Sequence, residues 1–213
     1  MEARDLRTMT VEEYLALDAS SLERWEFVDG EVFEMLAARI EHNVVVVNVS
    51  TALSRALDAR PCLVLGSQQR IARADRGFFY PDVVVVCGPV ARHPKDRETI
   101  TNPTLVVEVL SPTTKDYDRS EKFDHYRHLE SLAEVLFVSV ERREIERRRR
   151  TTDGEWVSRW FTSGAIELAC FGVTLRCEDV FAKLPSESVG PEGTGARKPK
   201  RISPPGRTRT RRA

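Results

Sequence analysis

Two carboxylates of the sequence stand in apolar surroundings, where a charge is costly. Glu108 lies within the apolar run Leu105–Leu110, and because successive strand residues alternate between faces, a strand here is apolar on both sides. The carboxylate must then be buried, and it needs a cation, a metal ion or a proton to avoid a penalty of several kcal/mol. Asp82 follows Pro81 and precedes four valines, which places it at the mouth of a second buried strand.

Two strand carboxylates that meet at one end of a sheet form a site for a hard, oxygen-binding cation. Mg²⁺ is the expected ion, with Mn²⁺ as its substitute. Such an ion polarises a phosphoryl oxygen and lowers the pKa of water, which is the chemistry of phosphodiester hydrolysis. A nearby lysine would offset the developing negative charge. Lys122 fits this role, since it lies beside Phe123 and four residues before Tyr126, at the border of the apolar face of a predicted helix.

Each of these three residues also has a structural alternative. Glu108 could form a buried ion pair, Asp82 could be a turn residue at the start of its strand, and Lys122 could be an ordinary solvated lysine. The two carboxylates taken together favour the metal site.

The helices and strands predicted around these residues indicate an α/β (α+β) fold: a mixed β-sheet flanked by helices, in a single domain. Thr10 and Glu13 form a capping box that opens a first helix, and Asp29-Gly30 predicts a hairpin turn. The predicted helices are 10–17, 40–59 and 116–132. The predicted strands are the two arms of a hairpin at 25–35 and the segments 63–65, 69–72, 81–86, 104–110, 135–140, 144–150, 156–161, 166–169 and 173–176.

The composition is that of an ordinary globular protein, but the charge is unevenly distributed. Of 213 residues, 41% are hydrophobic and 31% are charged, which excludes the collagen-like, wholly disordered and disulfide-scaffold classes. The formal net charge is zero, yet residues 186–213 hold eight basic and two acidic residues, so this segment carries +6 and the rest −6. We therefore divide the chain into a domain at 1–185 and a basic Pro/Gly/Arg-rich tail at 186–213, which we expect to be disordered.

The sequence indicates a cytoplasmic location. Its longest apolar runs fall far short of the ~18 residues of a membrane span. Residues 1–5 include acidic residues, whereas a signal peptide begins with a positively charged region followed by an apolar one. The cysteines show neither a Cys-x-x-Cys pair nor a histidine at zinc-finger spacing, so we expect no zinc site and four reduced thiols. These cysteines are Cys62, Cys87, Cys170 and Cys177.

Two basic features could contact DNA. The run Glu146–Arg150 contains four arginines, which a strand would divide between its two faces. Edge strands carry such charges to prevent pairing between sheets, so we prefer an edge strand to a DNA-binding stripe. The tail could bind phosphates without sequence preference, or it could be a neutral extension.

Five motifs in a fixed order resemble the PD-(D/E)XK nuclease superfamily and, within it, the bacterial Uma-type family of restriction endonuclease-like proteins. They are MTVEEY at 9–14, WEFVDGE at 25–31, YPDV at 80–83, VVEVLSP at 106–112 and YDRSEKFDHYR at 117–127. The sequence departs from the superfamily at Leu110, which stands where the lysine is usually found. In the Uma-type branch that lysine comes from the following helix.

The resemblance implies that Asp82 and Glu108 hold the metal ion and that Lys122 is the migrated catalytic lysine. It also points to Glu26 as a further acid near the site. Glu26 could bind the metal directly, bind it through water, or orient Lys122, and the sequence leaves these three roles open.

Two further residues follow from the resemblance as second-tier candidates. His42 matches the histidine that opens the family's first long helix, with helix capping or packing as an equal alternative. Gln69, or its neighbour Gln68, lies on the strand before the Pro-Asp motif. We expect His125 and His128 to be packing or surface residues.

The expected function is that of a Mg²⁺-dependent endonuclease that hydrolyses DNA through Asp82, Glu108 and Lys122. The acidic domain motivates an alternative, a non-cleaving nucleic-acid-binding or scaffold protein that keeps the fold. A metal-dependent hydrolase of another substrate is a third reading. A homodimer stays open, because cutting two strands needs two sites.

Overall fold

The computed structural model describes residues 8–35, 38–112, 114–184 and 201–202. The first helix, α1 (Val11–Ser20), begins after Thr10. The Thr10 hydroxyl accepts a hydrogen bond from the Glu13 amide at 3.2 Å, and the Glu13 carboxylate accepts one from the Thr10 amide at 3.0 Å. The predicted capping box is therefore confirmed, and it satisfies two amides that a helix start leaves unpaired.

The second helix, α2 (Ile40–Ala56), packs one apolar face against the protein core. Val45, Val49 and Leu53 recur at helical spacing and are fully buried. This packing outweighs the low helix propensity of the valines, which are common in the sequence of α2. The helix ends three residues before the predicted end at residue 59.

The helical segment that carries Lys122 is shorter and less regular than predicted. It consists of α3 (Lys115–Tyr117), a π-helical turn (Asp118–Lys122) and α4 (Phe123–Tyr126). The predicted continuation to residue 132 is wrong: α4 ends at Tyr126, and the guanidinium of Arg150 stabilises the non-helical chain beyond it by donating to the carbonyls of residues 127, 129 and 130. A last short helix, α5 (Cys177–Val180), was not predicted.

The strands of the described residues form two large sheets and one small sheet. In chain order they are β1 (Trp25–Val28), β2 (Glu31–Glu34), β3 (Cys62–Gly66), β4 (Ile71–Arg73), β5 (Gly77–Phe79), β6 (Val83–Cys87), β7 (Arg92–His93), β8 (Asp96–Ile100), β9 (Leu105–Leu110), β10 (Glu134–Ser139), β11 (Glu144–Arg150), β12 (Trp156–Phe161), β13 (Ala165–Leu168), β14 (Val173–Arg176) and β15 (Arg201–Ile202). The first sheet has the order β15-β2-β1-β5-β4-β8-β7, the second β12-β11-β10-β9-β6-β3, and the small one pairs β13 with β14. The predicted mixed α+β class is confirmed, with its strands divided among three sheets.

The predicted hairpin at 25–35 is also confirmed. β1 pairs antiparallel with β2, and the turn between them has positive φ angles at Asp29 (45°) and Gly30 (94°). This is the backbone that a two-residue turn needs to match the twist of its strands, and Asp-Gly adopts it at low cost. The turn fixes the direction of β1, which carries Glu26.

The second sheet is the platform on which Glu108 lies. β9 runs parallel to β10 and antiparallel to β6, and all six of its residues are buried. One face packs against a core that includes α2, and the other against a core that includes α4. The inference that the Glu108 strand is a central one is confirmed.

A disulfide joins two neighbouring strands of this sheet. Cys62 of β3 lies opposite Cys87 of β6, with a Cα–Cα separation of 4.0 Å, and the two sulfur atoms are bonded. The expectation of four reduced thiols is therefore wrong for this pair, because the sequence does not reveal that the pairing register places them together. Cys170 and Cys177 are free.

The arginine run at 147–150 has a structural role. β11, which contains it, lies between β10 and β12, so the expected edge strand is wrong. The guanidinium of Arg148 lies 4.3 Å from the ring centre of Phe123 and 4.7 Å from that of Phe137, and it donates to the carbonyl of Arg119 at 2.9 Å. Arg147 donates to the carbonyl of Glu167. The guanidinium groups of Arg147 and Arg148 therefore contact neighbouring rings and carbonyls of this chain and do not form a free basic stripe.

The tail at 186–213 lies outside the described residues except for β15. The backbone of this two-residue strand pairs antiparallel with Val32 and Phe33 of β2, so it extends the sheet that carries Glu26. None of the described helices has the length and apolar character that a bilayer crossing requires.

Candidate active site

Glu108 and Asp82 lie side by side at one end of the second sheet. The antiparallel register of β6 and β9 pairs Val83 with Val107, and continuing it by one residue places Asp82 opposite Glu108. Residues opposite each other on an antiparallel pair project from the same face. The amide of Val109 donates to Oδ2 of Asp82 at 2.8 Å, which fixes the aspartate against β9. The structure therefore brings together the two carboxylates that the sequence placed on separate strands.

Lys122 reaches the same place from the helical segment. Its side chain is 4% exposed, and its Nζ atom lies 2.8 Å from Oε1 of Glu26 and 3.0 Å from Oε1 of Glu108. A third carboxylate, Asp118, lies 3.8 Å away. Lys122 is therefore a buried ammonium group among acids, and the solvated alternative does not describe it.

Glu26 joins this cluster from β1 of the first sheet. Its Oε1 atom accepts from the ammonium of Lys122 and from the backbone amide of Tyr80 at 3.0 Å. Tyr80 is held in turn by a hydrogen bond of 2.6 Å from its hydroxyl to Asp18. Glu26 therefore links the ammonium of Lys122 to the backbone at Tyr80.

His42 contacts the site through Asp82. It lies near the start of α2, and its Nε2 atom is 3.3 Å from Oδ2 of the aspartate. Burial alone would lower the pKa of His42, but the Asp82 carboxylate outweighs burial and raises it. His42 thus adds a second basic group to the cluster, in contact with Asp82.

The remaining histidine and glutamine candidates do not contact Asp82, Glu108 or Glu26 in the described residues. Gln69 donates its side-chain amide to the carbonyls of Arg70 and Glu98, both at 2.8 Å, which makes it a backbone-binding residue. Gln68 accepts from Arg24. The ring of His125 faces Asp29 at 3.6 Å.

Two residues of the site were not singled out from the sequence. The hydroxyl of Tyr126 donates to Oε1 of Glu108 at 2.5 Å, and Asp118 lies beside Lys122. Asp118 precedes Lys122 by four residues and Tyr126 follows it by four, so helical spacing places all three on one face. That spacing was the signal that could have found them. The π-helical turn bounded by Asp118 and Lys122 sits at the site, as such turns often do.

The protonation of this cluster follows from the three carboxylates that face Lys122, those of Glu26, Glu108 and Asp118. Burial alone would lower the pKa of Lys122, but the carboxylates of Glu108 and Glu26 outweigh burial and raise it, so the ammonium keeps its proton. Burial raises the pKa of Glu108 well above its usual value, and the acids around it add to this effect. Burial likewise raises the pKa of Asp118 to about 6. The cluster therefore needs more positive charge than Lys122 provides.

The donor chemistry of the cluster fits a divalent cation. Its free donors are carboxylate oxygens, which Mg²⁺ and Mn²⁺ prefer, and Mg²⁺ is commonly held by one or two carboxylates with water completing its shell. Across the described ranges, no three His, Cys, Asp or Glu side chains form a ready-made metal group. Asp82 and Glu108 are the pair that could hold an ion.

Known proteins resemble this chain over most of its length. Residues 11–176 match the model of the Uma2 family, described as "Putative restriction endonuclease". Two uncharacterized proteins of Synechocystis sp. are similar to it: slr1290 is 34% identical over 83% of this chain and 93% of its own, and sll1609 is 29% identical over 71% and 86%.

A solved structure shares the fold. A crystal structure from Anabaena variabilis of "a putative nuclease belonging to DUF820" has a TM-score of 0.68 and 14% sequence identity, and the match covers 81% of this chain and 97% of that one. The fold, the order of the motifs and the family match agree. This chain belongs to the Uma2 family of restriction endonuclease-like proteins.

Proposed function

We propose that the protein is a metal-dependent endonuclease that hydrolyses DNA phosphodiester bonds at the Asp82, Glu108 and Lys122 cluster. The observation that supports this most directly is the buried ammonium of Lys122, 3.0 Å from Glu108, on the strand whose Val109 amide donates to Asp82. A buried ion pair with no further role is often replaceable by apolar residues. Here four acids meet at one sheet end, which favours a role in binding and chemistry.

Each side chain has a defined part in this proposal. Asp82 and Glu108 would hold Mg²⁺, and Mn²⁺ would substitute for it. The chemistry that such an ion supplies is polarisation of the phosphoryl oxygen and activation of water. Lys122 would offset negative charge that develops on the phosphate and help to hold the attacking water. Glu26, which binds the ammonium at 2.8 Å, would keep Lys122 in place.

His42 has a supporting part. Because the Asp82 carboxylate raises the pKa of His42, the ring takes up a proton more readily, and its charge would reduce the repulsion between the carboxylates and an approaching phosphate. Its contact with Oδ2 at 3.3 Å also limits the rotation of the aspartate. DNA is the substrate that the family description suggests.

The test is cleavage of a supercoiled plasmid by purified protein with Mg²⁺ or Mn²⁺, and with chelator as the blank. Glu108→Gln, which keeps the shape of the side chain, is expected to lower the rate about a hundredfold or more. Glu134→Gln is the matched control, because Glu134 is a buried glutamate on the neighbouring parallel strand that lies outside the site. Absence of cleavage by the wild type, or equal rates for the two variants, would contradict the proposal.

A second candidate is a non-cleaving nucleic-acid-binding protein that keeps the fold. The observation that favours it is the full engagement of Lys122 by Glu26 and Glu108. Such a protein would have a structural salt-bridge cluster and no need for a metal. Calorimetric titration with Mn²⁺ separates the two candidates: binding that is lost in Asp82→Asn and Glu108→Gln supports the nuclease, and no binding supports the second candidate.

A further inference from the structure

Tyr126 makes the shortest contact with Glu108. Its side chain is fully buried in the core between α4 and the second sheet, and its hydroxyl donates to Oε1 of Glu108 at 2.5 Å. The ring of Phe79 packs edge-on against the Tyr126 ring, with 5.3 Å between centroids. The hydroxyl therefore has a fixed position, and the oxygen that it binds is fixed with it.

The same oxygen of Glu108 accepts from two donors of different charge. Lys122 approaches Oε1 at 3.0 Å as a cation, and Tyr126 approaches it as a neutral hydroxyl. A divalent cation held by Glu108 would repel the ammonium more than it would repel the neutral hydroxyl. The bond from Tyr126 to Glu108 is therefore the one that metal binding would weaken least.

We propose that Tyr126 is a positioning residue, which orients the Glu108 carboxylate for a divalent cation by holding its Oε1 atom. This inference rests on the proposed function, because it assigns Tyr126 a role toward the metal ligand. The protein partners that hydrogen-bond to metal ligands tune the affinity of a site, and their loss commonly weakens affinity or activity by 10–100-fold. Tyr126 is such a partner for Glu108, because its hydroxyl donates to Oε1 of the carboxylate.

The test compares two tyrosine hydroxyls that are buried equally well. Tyr126→Phe removes the bond to Glu108, and Tyr14→Phe removes a bond of 2.7 Å from a fully buried hydroxyl to the carbonyl of Trp25, outside the site. Both variants keep the ring and lose one buried hydrogen bond. Titration calorimetry with Mn²⁺ is expected to give a Kd about 10–100-fold weaker than wild type for Tyr126→Phe and an unchanged Kd for Tyr14→Phe.

A kinetic readout separates positioning from a loss of folded protein. For Tyr126→Phe, the Mn²⁺ concentration that gives half-maximal cleavage should rise more than the rate at saturating Mn²⁺ falls. A variant that merely folds poorly loses maximal rate at an unchanged metal requirement, and that result would overturn the inference.

The outcomes also distinguish this inference from the proposed function. If wild-type protein binds Mn²⁺ through Asp82 and Glu108 but Tyr126→Phe binds it equally well, Tyr126 is not a positioning residue and the proposed function stands. If the wild type binds no Mn²⁺, both are overturned.

Discussion

The ammonium of Lys122 and the carboxylate of Glu26 lie 2.8 Å apart, although one belongs to the helical segment and the other to the first strand of the chain. Both side chains are almost fully buried. This pair joins the first sheet to the helical segment that packs on the second sheet. The site is therefore assembled by the tertiary fold, and its charges contribute to holding the two sheets in place.

Replacing Lys122 should lower stability strongly. In Lys122→Met, the carboxylates of Glu26 and Glu108 would lose their shared cation while staying buried. Breaking a buried pair from one side typically costs about 3 to 5 kcal/mol. Urea unfolding at neutral pH without divalent ions would measure this loss. Lys115→Met, at an exposed lysine at the start of the same helical segment, is the control, and equal stabilities for the two variants would contradict the prediction.

Asp118 should make stability depend on pH. Its folded pKa of about 6 lies above its usual value of 3.8, because the folded state disfavours the ionised form. The stability associated with its proton is therefore fully present below pH 3.8 and is lost as the pH rises through 6.

Asp118→Asn removes the group whose ionisation lowers the folding stability as the pH rises. The stability of the variant relative to wild type should increase between about pH 4 and pH 7, by an amount on the order of 1–3 kcal/mol. The measurement is urea unfolding as a function of pH without divalent ions. Asp116→Asn, at an exposed position two residues earlier, should show no such trend. A parallel pH profile for the two variants would argue against the shifted pKa.

The chemistry of the site was easier to predict from the sequence than its contacts. Glu108 was recognisable because a carboxylate in a strand that is apolar on both faces has few alternatives. The partnership of Glu26 with Lys122 could not be derived from local pattern, since it depends on how the two sheets pack. The sequence shows Tyr126 only as part of an apolar helix face, because its ring fills the core and its hydroxyl reaches Glu108 only in the folded chain.

The disulfide between Cys62 and Cys87 should add to stability. It closes a loop of 25 residues, and a loop of that length corresponds to roughly 3.5 kcal/mol in the chain-entropy model. Reduction with a thiol, or the double variant Cys62→Ser/Cys87→Ser, should lower Tm. Reductant should leave the Tm of the double variant unchanged. An equal effect of reductant on both proteins would show that the bond does not account for the difference.

The fold illustrates where local pattern is sufficient and where it is not. The α1 capping box and the Asp29-Gly30 turn were predicted because neighbouring residues determine them. The short strands β5, β7 and β8 were not predicted, since their few residues have no periodicity and pairing partners define them. The disulfide and the inner position of β11 depend in the same way on strand order, which the sequence does not show.

Arg148 should be important for stability and neutral for DNA affinity. Its guanidinium stacks on Phe123 and Phe137 and pairs with the buried Glu146 at 2.7 Å. Arg148→Met should therefore lower the free energy of unfolding by about 2 kcal/mol, from lost cation–π contacts and a weakened ion pair. Binding of a labelled duplex, measured by fluorescence anisotropy, should match that of Arg97→Met, an exposed control. A selective loss of affinity in Arg148→Met would support the DNA-binding stripe.

The basic tail should bind DNA electrostatically without being required for cleavage. It carries +6, whereas the rest of the chain carries −6, and the metal site adds no attraction until a cation binds. Protein truncated after residue 185 should bind a duplex more weakly and with a shallower salt dependence, since each lost phosphate contact removes about 0.9 from the slope of log K against log salt. Cleavage at low salt should persist, because the catalytic residues lie before the truncation.

Charge and strand pairing can be separated within the tail. Truncation also removes β15, which pairs with β2 of the sheet that carries Glu26. Serine in place of Arg207, Arg209, Arg211 and Arg212 removes four charges and leaves β15 unchanged. If charge is the cause, this variant should reproduce most of the change in salt slope while keeping the wild-type Tm. A loss of Tm on truncation with an unchanged slope would instead assign the tail a structural role through β15.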